Sequence, residues 1–515
     1  MGRRIRILGV VLVLAFGLII VQLVNIQYAK AHQLATSTNN PRVAVQRYEN
    51  PRGTIYAADG TTVLAQSIPT PAGTSPKEYA YKYVRQYPQG PLYAGITGYD
   101  SALYYGTTGI EEQYNSYLSA HEEPETFSDV LSGSKAPMTT DSVTLTVQPE
   151  LQQFVSNELN SIPPGANKDG AVVVLDPSTG AVEAMVSNPT FDPNVLVSTS
   201  LSAEQLGYVS YNTPDHEDFE PLQPIATGYP EAPGSTFKVV TSTAAYNLKP
   251  SLDNFDFPVA MCVSFYDSGG HALCDQSGPC GGTMTAMLPA SCDPGYGKLG
   301  VEEGIPTLQK QAELFGYDSV PPIDLPNVAE SVFSTLQPNA QAFLAQSAIG
   351  QYDDRVTALQ NAMVASGIAN GGVVMTPHLM SEIHDAQGNL VEKYTPKPMP
   401  RAASASAAAA VVKLMRLVTM PGGTAGPSAG FSGFPSYLCA AVKTGTAQTG
   451  SAEGVNTDWM IGFAPANNPQ VAVAVVVPKQ DINSDGADVA GPIMRAVLEH
   501  VLPVGSVTNC GYTGG

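Results

Sequence analysis

Two serine–lysine pairs in the sequence have the spacing that a nucleophile and its base need. One lies at residues 132–135, and the other consists of Ser235 and Lys238. A lysine three residues after a serine lies on the same helix face, and a desolvated lysine can lose its proton and activate the hydroxyl. The first pair is surrounded by Gly, Ser and Pro, whereas Ser235 precedes an apolar helical run. Only Ser235 is therefore predicted at a helix N-terminus, where backbone N–H groups stabilise the charge of an attacked carbonyl.

A Lys-Thr-Gly motif is predicted on a strand near the C-terminal end. Lys443, Thr444 and Gly445 lie within the predicted strand 437–449 and are followed by Thr446. A strand edge can hold a peptide by backbone hydrogen bonds, and a glycine permits close approach. Taken alone, the motif is also compatible with an ordinary exposed strand lysine.

A Ser-x-Asp motif, Ser291-Cys292-Asp293, lies between the other two. In this chain order, Ser-x-x-Lys, Ser-x-Asx and Lys-Thr-Gly form the signature of penicillin-binding proteins and class A β-lactamases. The chain resembles a class B penicillin-binding protein, of the short penicillin-binding protein A-like type found in actinobacteria. The resemblance extends to further blocks of sequence: Arg52-Gly53-x-Ile55, Asp59-Gly60, Leu64-Ala65, and residues 109–118, 170–194, 348–351, 369–379 and 458–465.

The resemblance implies three catalytic residues. Ser235 would be the acylated nucleophile, Lys238 its base, and Ser291 the relay that passes a proton to the leaving amine. Lys443 is a nearby cation, and it would help to keep Lys238 neutral.

The resemblance also implies a substrate-binding set formed by Asp293, Lys443, Thr444, Gly445 and Thr446. The side chains of Lys443 and Thr444 would hold the terminal carboxylate of the donor peptide. The backbone N–H groups of Ser235 and Thr446 would form the oxyanion hole.

The middle motif departs from the family at Asp293, because the usual residue there is asparagine. An ionised carboxylate only accepts hydrogen bonds, and its charge near Lys238 favours the protonated form of that base. Asp293 is therefore expected to pair with Lys238 or Lys443, to be held protonated, or to impair the site.

The predicted fold class is α+β. A β-lactamase-like transpeptidase domain at 161–505, an antiparallel sheet flanked by helices, follows a mostly-β pedestal at 42–160. The predicted transpeptidase domain has strand patterns at both of its ends and helical patterns between them. Strands from its two ends are therefore predicted to pair in one sheet.

The N-terminal end predicts a membrane anchor. The apolar run that begins at Ile7 follows three arginines and is long enough to cross a hydrocarbon core of ~30 Å. It predicts a cytoplasmic tail at 1–6, a single transmembrane helix at 7–28, and a catalytic domain outside the cytoplasm. The alternative is a signal peptide cleaved near residues 29–31.

The six cysteines fit that compartment, since disulfides form outside the cytoplasm. They are Cys262, Cys274, Cys280, Cys292, Cys439 and Cys510. Six cysteines can form three disulfides in 15 different ways. The preferred individual bonds are Cys280–Cys292 and Cys439–Cys510. A zinc site that includes His271 is the alternative, but the close C-x₂₋₄-C pairs of structural zinc sites do not occur.

The expected function is peptidoglycan D,D-transpeptidation through an acyl-serine intermediate, inhibited by β-lactams and requiring no metal or organic cofactor. Expected partners are peptidoglycan stem peptides, the cytoplasmic membrane, a glycosyltransferase and other division or elongation proteins. Nucleic acid is excluded, because 45 acidic residues outnumber 25 basic ones. The alternatives are a D,D-carboxypeptidase or β-lactamase, in which water replaces the acceptor amine, and a catalytically weak scaffold.

Overall fold

The structure is a computed structural model. It describes residues 2–25, 49–71, 82–101, 106–122, 138–162, 167–198, 200–213, 219–266, 272–428, 431–448 and 454–505. The first serine–lysine pair at 132–135, His271 and Cys510 lie outside the described residues.

A five-stranded antiparallel sheet, here called the central sheet, forms the middle of the larger region. Its strands come from both ends of that region, in the spatial order Val182–Asn188, Gly170–Leu175, Val471–Asp481, Val455–Ala464 and Ala441–Gln448. The inner strands Gly170–Leu175 and Val471–Asp481 are valine-rich and buried on both faces, which requires a helical layer on each side.

Helices cover both faces of the central sheet. Ala358–Ala369 is rich in small apolar residues, and it is buried all round against one face. Pro149–Asn160 and Ala490–Val501 pack together on the other face. The helix Lys238–Leu248 lies among Asp293–Glu303, Ile305–Phe315 and Ala405–Leu417.

A second, mixed sheet combines chain from both sides of residue 160. Its spatial order is Leu390–Lys393, Met380–His384, Ser142–Leu145, Ile55–Tyr56, Val63–Pro69 and Tyr83–Gln86, with Ile55–Tyr56 parallel to Ser142–Leu145. The two-stranded pairs are Asp100–Ser101 with Gly106–Thr107, His121–Glu122 with Met138–Thr139, Phe257–Ala260 with Cys280–Gly282, and Cys262–Ser264 with Ala272–Cys274.

The remaining helices are short, apart from Gly2–Val24 with 23 residues and Leu201–Tyr211 with 11. They are Gly2–Val24, Ala94–Thr97, Gly109–Gln113, Asn115–Leu118, Pro193–Leu196, Leu201–Tyr211, Ile225–Gly228, Met284–Met287 and Gln341–Ser347. Single 3₁₀ turns occur at Gly90–Tyr93, Gly234–Phe237, Leu252–Asn254 and Ser436–Leu438.

The predicted fold class is wrong in two respects. The N-terminal region is not simply a mostly-β unit, because short helices alternate with its strands and its sheet is mixed. The prediction of a transmembrane helix at 7–28 is also wrong: no helix within the described residues is both long and apolar enough to cross a membrane. The helix Gly2–Val24 includes three arginines in its first two turns, so its apolar part begins only at Ile7.

Two disulfides cross-link the segment between the helices Lys238–Leu248 and Asp293–Glu303. Cys262 is bonded to Cys274, and Cys280 is bonded to Cys292. The second bond is the preferred pairing from the sequence. Because these four sulfurs are oxidised, they are not available as the thiolate ligands that a zinc site needs.

Candidate active site

Ser235 lies in a single 3₁₀ turn, Gly234–Phe237, that continues directly into the helix Lys238–Leu248. Gly234 has a φ of +53°, and a Cβ there would lie 2.9 Å from the carbonyl oxygen of Thr446. Its N–H donates to Gly350 O at 2.8 Å. Glycine adopts this left-handed conformation without steric cost, and its lack of a side chain lets the serine turn pack closely against the strand that carries Lys443.

Lys238 is fully buried, and its amine contacts four polar groups of three residues. Its Nζ lies 2.9 Å from Ser235 Oγ, 3.2 Å from Ser291 Oγ and 2.5 Å from Asp293 Oδ1, and it also donates to the carbonyl oxygen of Ser291. The nucleophile and its base are therefore in hydrogen-bond contact.

Ser291 lies between the two lysines. Its backbone has a φ of +57°, a left-handed conformation that is uncommon for serine. Its Oγ is 2.9 Å from Lys443 Nζ as well as 3.2 Å from Lys238 Nζ. One hydroxyl thus connects both lysine side chains, which is the position that a proton relay requires.

Lys443 is buried within the strand Ala441–Gln448, and its Nζ also donates to Thr444 O at 2.8 Å. Burial lowers the pKa of Lys443 well below its usual value, and the charge of Lys238 lowers it further. Asp293 and Asp275 act in the opposite direction. Unlike Lys238, Lys443 has no directly paired carboxylate in the described site.

Asp275 is a residue of the site that the sequence analysis did not identify. Its carboxylate is buried and accepts from the backbone N–H of Asp293 at 3.1 Å, at the start of the helix Asp293–Glu303. The disulfide Cys280–Cys292 joins the same two segments. No motif indicates Asp275, because its position near Asp293 depends on the fold of the disulfide-linked segment 262–292.

The remaining predicted residues lie along the strand Ala441–Gln448. Thr444 and Thr446 face a groove of about 690 Å³ that is also lined by Ser235, Ser291 and Asp293. A Cβ on Gly445 would lie 2.8 Å from Thr236 Cγ2 and 3.0 Å from Pro233 O. Gly445 therefore permits the strand to pack closely on the serine turn. All eight predicted site residues lie together.

Comparison with known proteins identifies the family. The model described as the penicillin binding protein transpeptidase domain matches residues 170–499, and that of the penicillin binding protein A dimerisation domain matches residues 52–139. The chain therefore belongs to the penicillin-binding protein transpeptidase family, and within it to the penicillin-binding protein A-like class B proteins, as the sequence motifs predicted.

Relatives of known identity match over almost the whole chain. The peptidoglycan D,D-transpeptidase PbpA of Mycolicibacterium smegmatis is 32% identical over 520 residues, which cover 98% of this chain and 100% of that protein. The protein of the same name from Mycobacterium tuberculosis is 30% identical, covering 98% of this chain and 99% of the relative.

A solved structure extends the likeness to an acyl-enzyme. Penicillin-binding protein A from M. tuberculosis, as its ceftriaxone acyl-enzyme complex, superposes with a TM-score of 0.76 and 30% identity, covering 89% of this chain and 100% of that one. The penicillin G acyl-enzyme complex gives a TM-score of 0.75 at the same identity, covering 88% of this chain and 100% of that one.

Proposed function

We infer that this chain is a serine-type peptidoglycan D,D-transpeptidase of cell-wall synthesis, and that Ser235 is its nucleophile. The observation that carries the inference is the 2.9 Å contact between Ser235 Oγ and the buried Lys238 Nζ. A buried amine at this distance can take the hydroxyl proton as the oxygen attacks.

In the acylation step, Ser235 Oγ bonds to the carbonyl carbon of the penultimate D-Ala while neutral Lys238 accepts the hydroxyl proton. The oxyanion is stabilised by the backbone N–H groups of Ser235 and Thr446. The proton then passes from Lys238 through Ser291 to the departing amine, and the C–N bond breaks. This order requires the contacts of Ser291 with the lysines.

Substrate binding supplies a negative charge next to Lys443. The terminal carboxylate of the donor peptide would lie at the hydroxyl of Thr444 and near the buried amine of Lys443. Because burial lowers the pKa of Lys443, an arriving anion favours its protonated form. Recognition of the carboxylate and protonation of Lys443 are therefore coupled.

In the second step an amine of a neighbouring stem peptide attacks the acyl-ester carbon and loses a proton to Lys238, the bond between that carbon and Ser235 Oγ breaks, and the proton returns to Ser235 Oγ. The substrate must reach this enzyme on glycan strands, so a glycosyltransferase reaction supplies it. We place the reaction outside the cytoplasm, where peptidoglycan is cross-linked and where disulfides such as Cys280–Cys292 persist. We further propose that the enzyme acts with other proteins of division or elongation.

We also propose that residues 42–160 form a pedestal and residues 161–505 the transpeptidase domain. The two separate family matches support this division. The strands Met380–His384 and Leu390–Lys393 would then be a hairpin that the second domain contributes to the sheet of the first.

The test is incubation of the purified full-length chain with a fluorescent penicillin, followed by mass spectrometry of its peptides. An adduct on Ser235 that is lost in Ser235→Ala is expected. Ser132→Ala removes the serine of the other Ser-x-x-Lys motif and is the matched control, which should keep the adduct. A folded chain that forms no adduct would overturn the proposal.

A second measurement separates transpeptidation from hydrolysis. Release of D-Ala from a stem-peptide analogue is followed with and without an acceptor amine. A cross-linked product that increases with acceptor concentration supports a transpeptidase, whereas hydrolysis that is unaffected by acceptor indicates a carboxypeptidase.

A further inference from the structure

A short loop brings a residue outside the three motifs into the groove. The helix Ala405–Leu417 ends at a tight turn in which Ala425 N donates to Val418 O at 3.0 Å. Added Cβ atoms at Gly423 and Gly426 would each lie 2.4 Å from a backbone oxygen of this turn. Such close packing leaves Thr424, between the two glycines, at a defined place on the groove wall.

Thr424 connects the segments that carry two of the motifs. Its backbone N–H donates to Pro289 O at 3.0 Å, two residues before Ser291. Its hydroxyl lies 2.8 Å from that of Thr444. The contacts of this one residue therefore set the distance between the Ser-x-Asp turn and the Lys-Thr-Gly strand.

We propose that Thr424 is a positioning residue that aims the hydroxyl of Thr444 at the terminal carboxylate of the substrate. This rests on the proposed function, in which Thr444 binds that carboxylate. A hydroxyl has one hydrogen and two lone pairs. When Thr424 donates to Thr444 Oγ1, the hydrogen of Thr444 is left to donate into the groove.

The arrangement predicts which property of the enzyme depends on Thr424. A hydrogen bond to an ionised acceptor is stronger than one to a neutral acceptor. Thr424 should therefore matter for ligands that present a carboxylate and have little effect on ligands in which that group is esterified. A loop that only supports the fold would affect both ligands alike.

The test compares Thr424→Val with Thr424→Ser. Valine keeps the shape of threonine but removes the hydroxyl, whereas serine keeps the hydroxyl. The second-order rate constant of Ser235 acylation is measured with benzylpenicillin and with its methyl ester. Thr424→Val is expected to slow acylation by benzylpenicillin about tenfold and to leave the ester rate nearly unchanged. Thr424→Ser should restore the preference for the acid over the ester.

Thr419→Val is the matched control, because Thr419 hydrogen-bonds Arg416 O at the end of the same helix and does not line the groove. Equal slowing of both ligands by Thr424→Val, or no slowing of either, would overturn the inference. Failure of the wild-type chain to acylate at all would instead overturn the proposed function.

Discussion

Lys238 Nζ and Asp293 Oδ1 lie 2.5 Å apart, so the base of the site rests against a carboxylate where the family usually has an amide. The lysine is fully buried, while the side chain of Asp293 is 28% exposed at the groove. Asp293 thus pairs with Lys238, whereas Lys443 contacts the hydroxyl of Ser291. The carboxylate therefore competes with Ser235 Oγ for Lys238 Nζ, the amine that must take the proton of Ser235.

Asp293→Asn should therefore make acylation faster. The amide keeps an accepting oxygen for Lys238 but carries no charge, and a hydrogen bond to a neutral acceptor is weaker than one to a carboxylate by about 1 kcal/mol, so Lys238 Nζ is released more easily to Ser235 Oγ. This corresponds to roughly fivefold faster acylation. The measurement is the second-order rate constant of penicillin acylation of the two proteins under the same conditions.

Glu150→Gln is the control for this experiment, since Glu150 lies in the first turn of the helix Pro149–Asn160, and the change removes the same charge outside the groove. Its acylation rate should match that of the wild type. Slower acylation by Asp293→Asn would mean that the carboxylate positions Lys238 for catalysis rather than competing with Ser235 for it.

Reduction of the Cys280–Cys292 disulfide should slow acylation. Cys292 lies between Ser291 and Asp293, immediately before the helix that begins at Asp293. Without this disulfide the relay serine, Ser291, can move, and a displacement of about 1 Å in a catalytic group can cost on the order of 10²-fold in rate. We expect the paired variant Cys280→Ser/Cys292→Ser to remain folded and to acylate at least about tenfold more slowly.

The Cys262–Cys274 disulfide offers a matched control. It closes a hairpin with the same sequence separation of 12 residues, and neither cysteine belongs to a motif, although Cys274 lines the wall of the groove. Cys262→Ser/Cys274→Ser should lower the thermal midpoint with little effect on the acylation rate. Equal loss of rate in both paired variants would assign the effect to the whole segment rather than to the Ser291 turn.

The three motifs could be predicted from the sequence because each depends on short spacing. Ser235 and Lys238 share one helical turn, and Lys443 to Thr446 share one strand. The strand patterns near 458–465 and 471–478 also correspond to observed strands, since buried strands contain continuous apolar runs. Short spacing is therefore sufficient to identify these elements.

Contacts between distant segments could not be predicted in the same way. Asp275 reaches Asp293 only through the disulfide-linked segment, and Thr424 reaches Thr444 only through packing of a loop. The N-terminal sheet likewise takes strands from beyond residue 379, which no local pattern in residues 42–160 could indicate. Such pairings depend on the tertiary fold rather than on local periodicity.

The Arg52-Gly53 motif has a structural role that leads to a stability prediction. The buried carboxylate of Glu111 accepts from Arg52 Nε at 2.5 Å and from Arg85 Nε at 2.6 Å. A Cβ on Gly53 would lie 1.8 Å from Asp141 O, so any side chain at this position would clash with that carbonyl oxygen. Glu111→Gln removes the carboxylate that both buried guanidinium groups share, which leaves Arg52 with the more distant Asp100 at 3.7 Å, and it should lower the free energy of unfolding by about 3–5 kcal/mol.

Urea unfolding of the full chain measures this loss. Glu112→Gln is the same substitution at the next residue, whose side chain is exposed, and it should change the unfolding free energy by less than about 0.5 kcal/mol. Equal stability of the two variants would show that the Arg–Glu–Arg cluster adds nothing to the fold.

Asp354 should make stability depend on pH. Its buried carboxyl accepts from the backbone N–H of Ser334 at 2.9 Å and from the hydroxyl of the same residue, in the segment that follows Gly350. Burial raises the pKa of Asp354 to about 8. In the unfolded chain the group has a pKa of about 3.9, so between these values the folded state binds the extra proton and stability falls as pH rises.

Asp354→Asn keeps the accepting oxygen and cannot ionise. Its stability relative to the wild type should therefore increase from pH 5 to pH 8, by at most about 1.4 kcal/mol for each pH unit, and then become constant. Urea unfolding at pH 5, 7 and 9 measures the difference, with exposed Asp353→Asn as the control that should show no such trend. A difference that stays constant over this range would mean that the buried carboxyl is already ionised at pH 5. The carbonyl oxygen of Gly350 accepts a hydrogen bond from the N–H of Gly234. Weaker packing of residues 350–354 at high pH should therefore also make the turn that holds Ser235 less rigid.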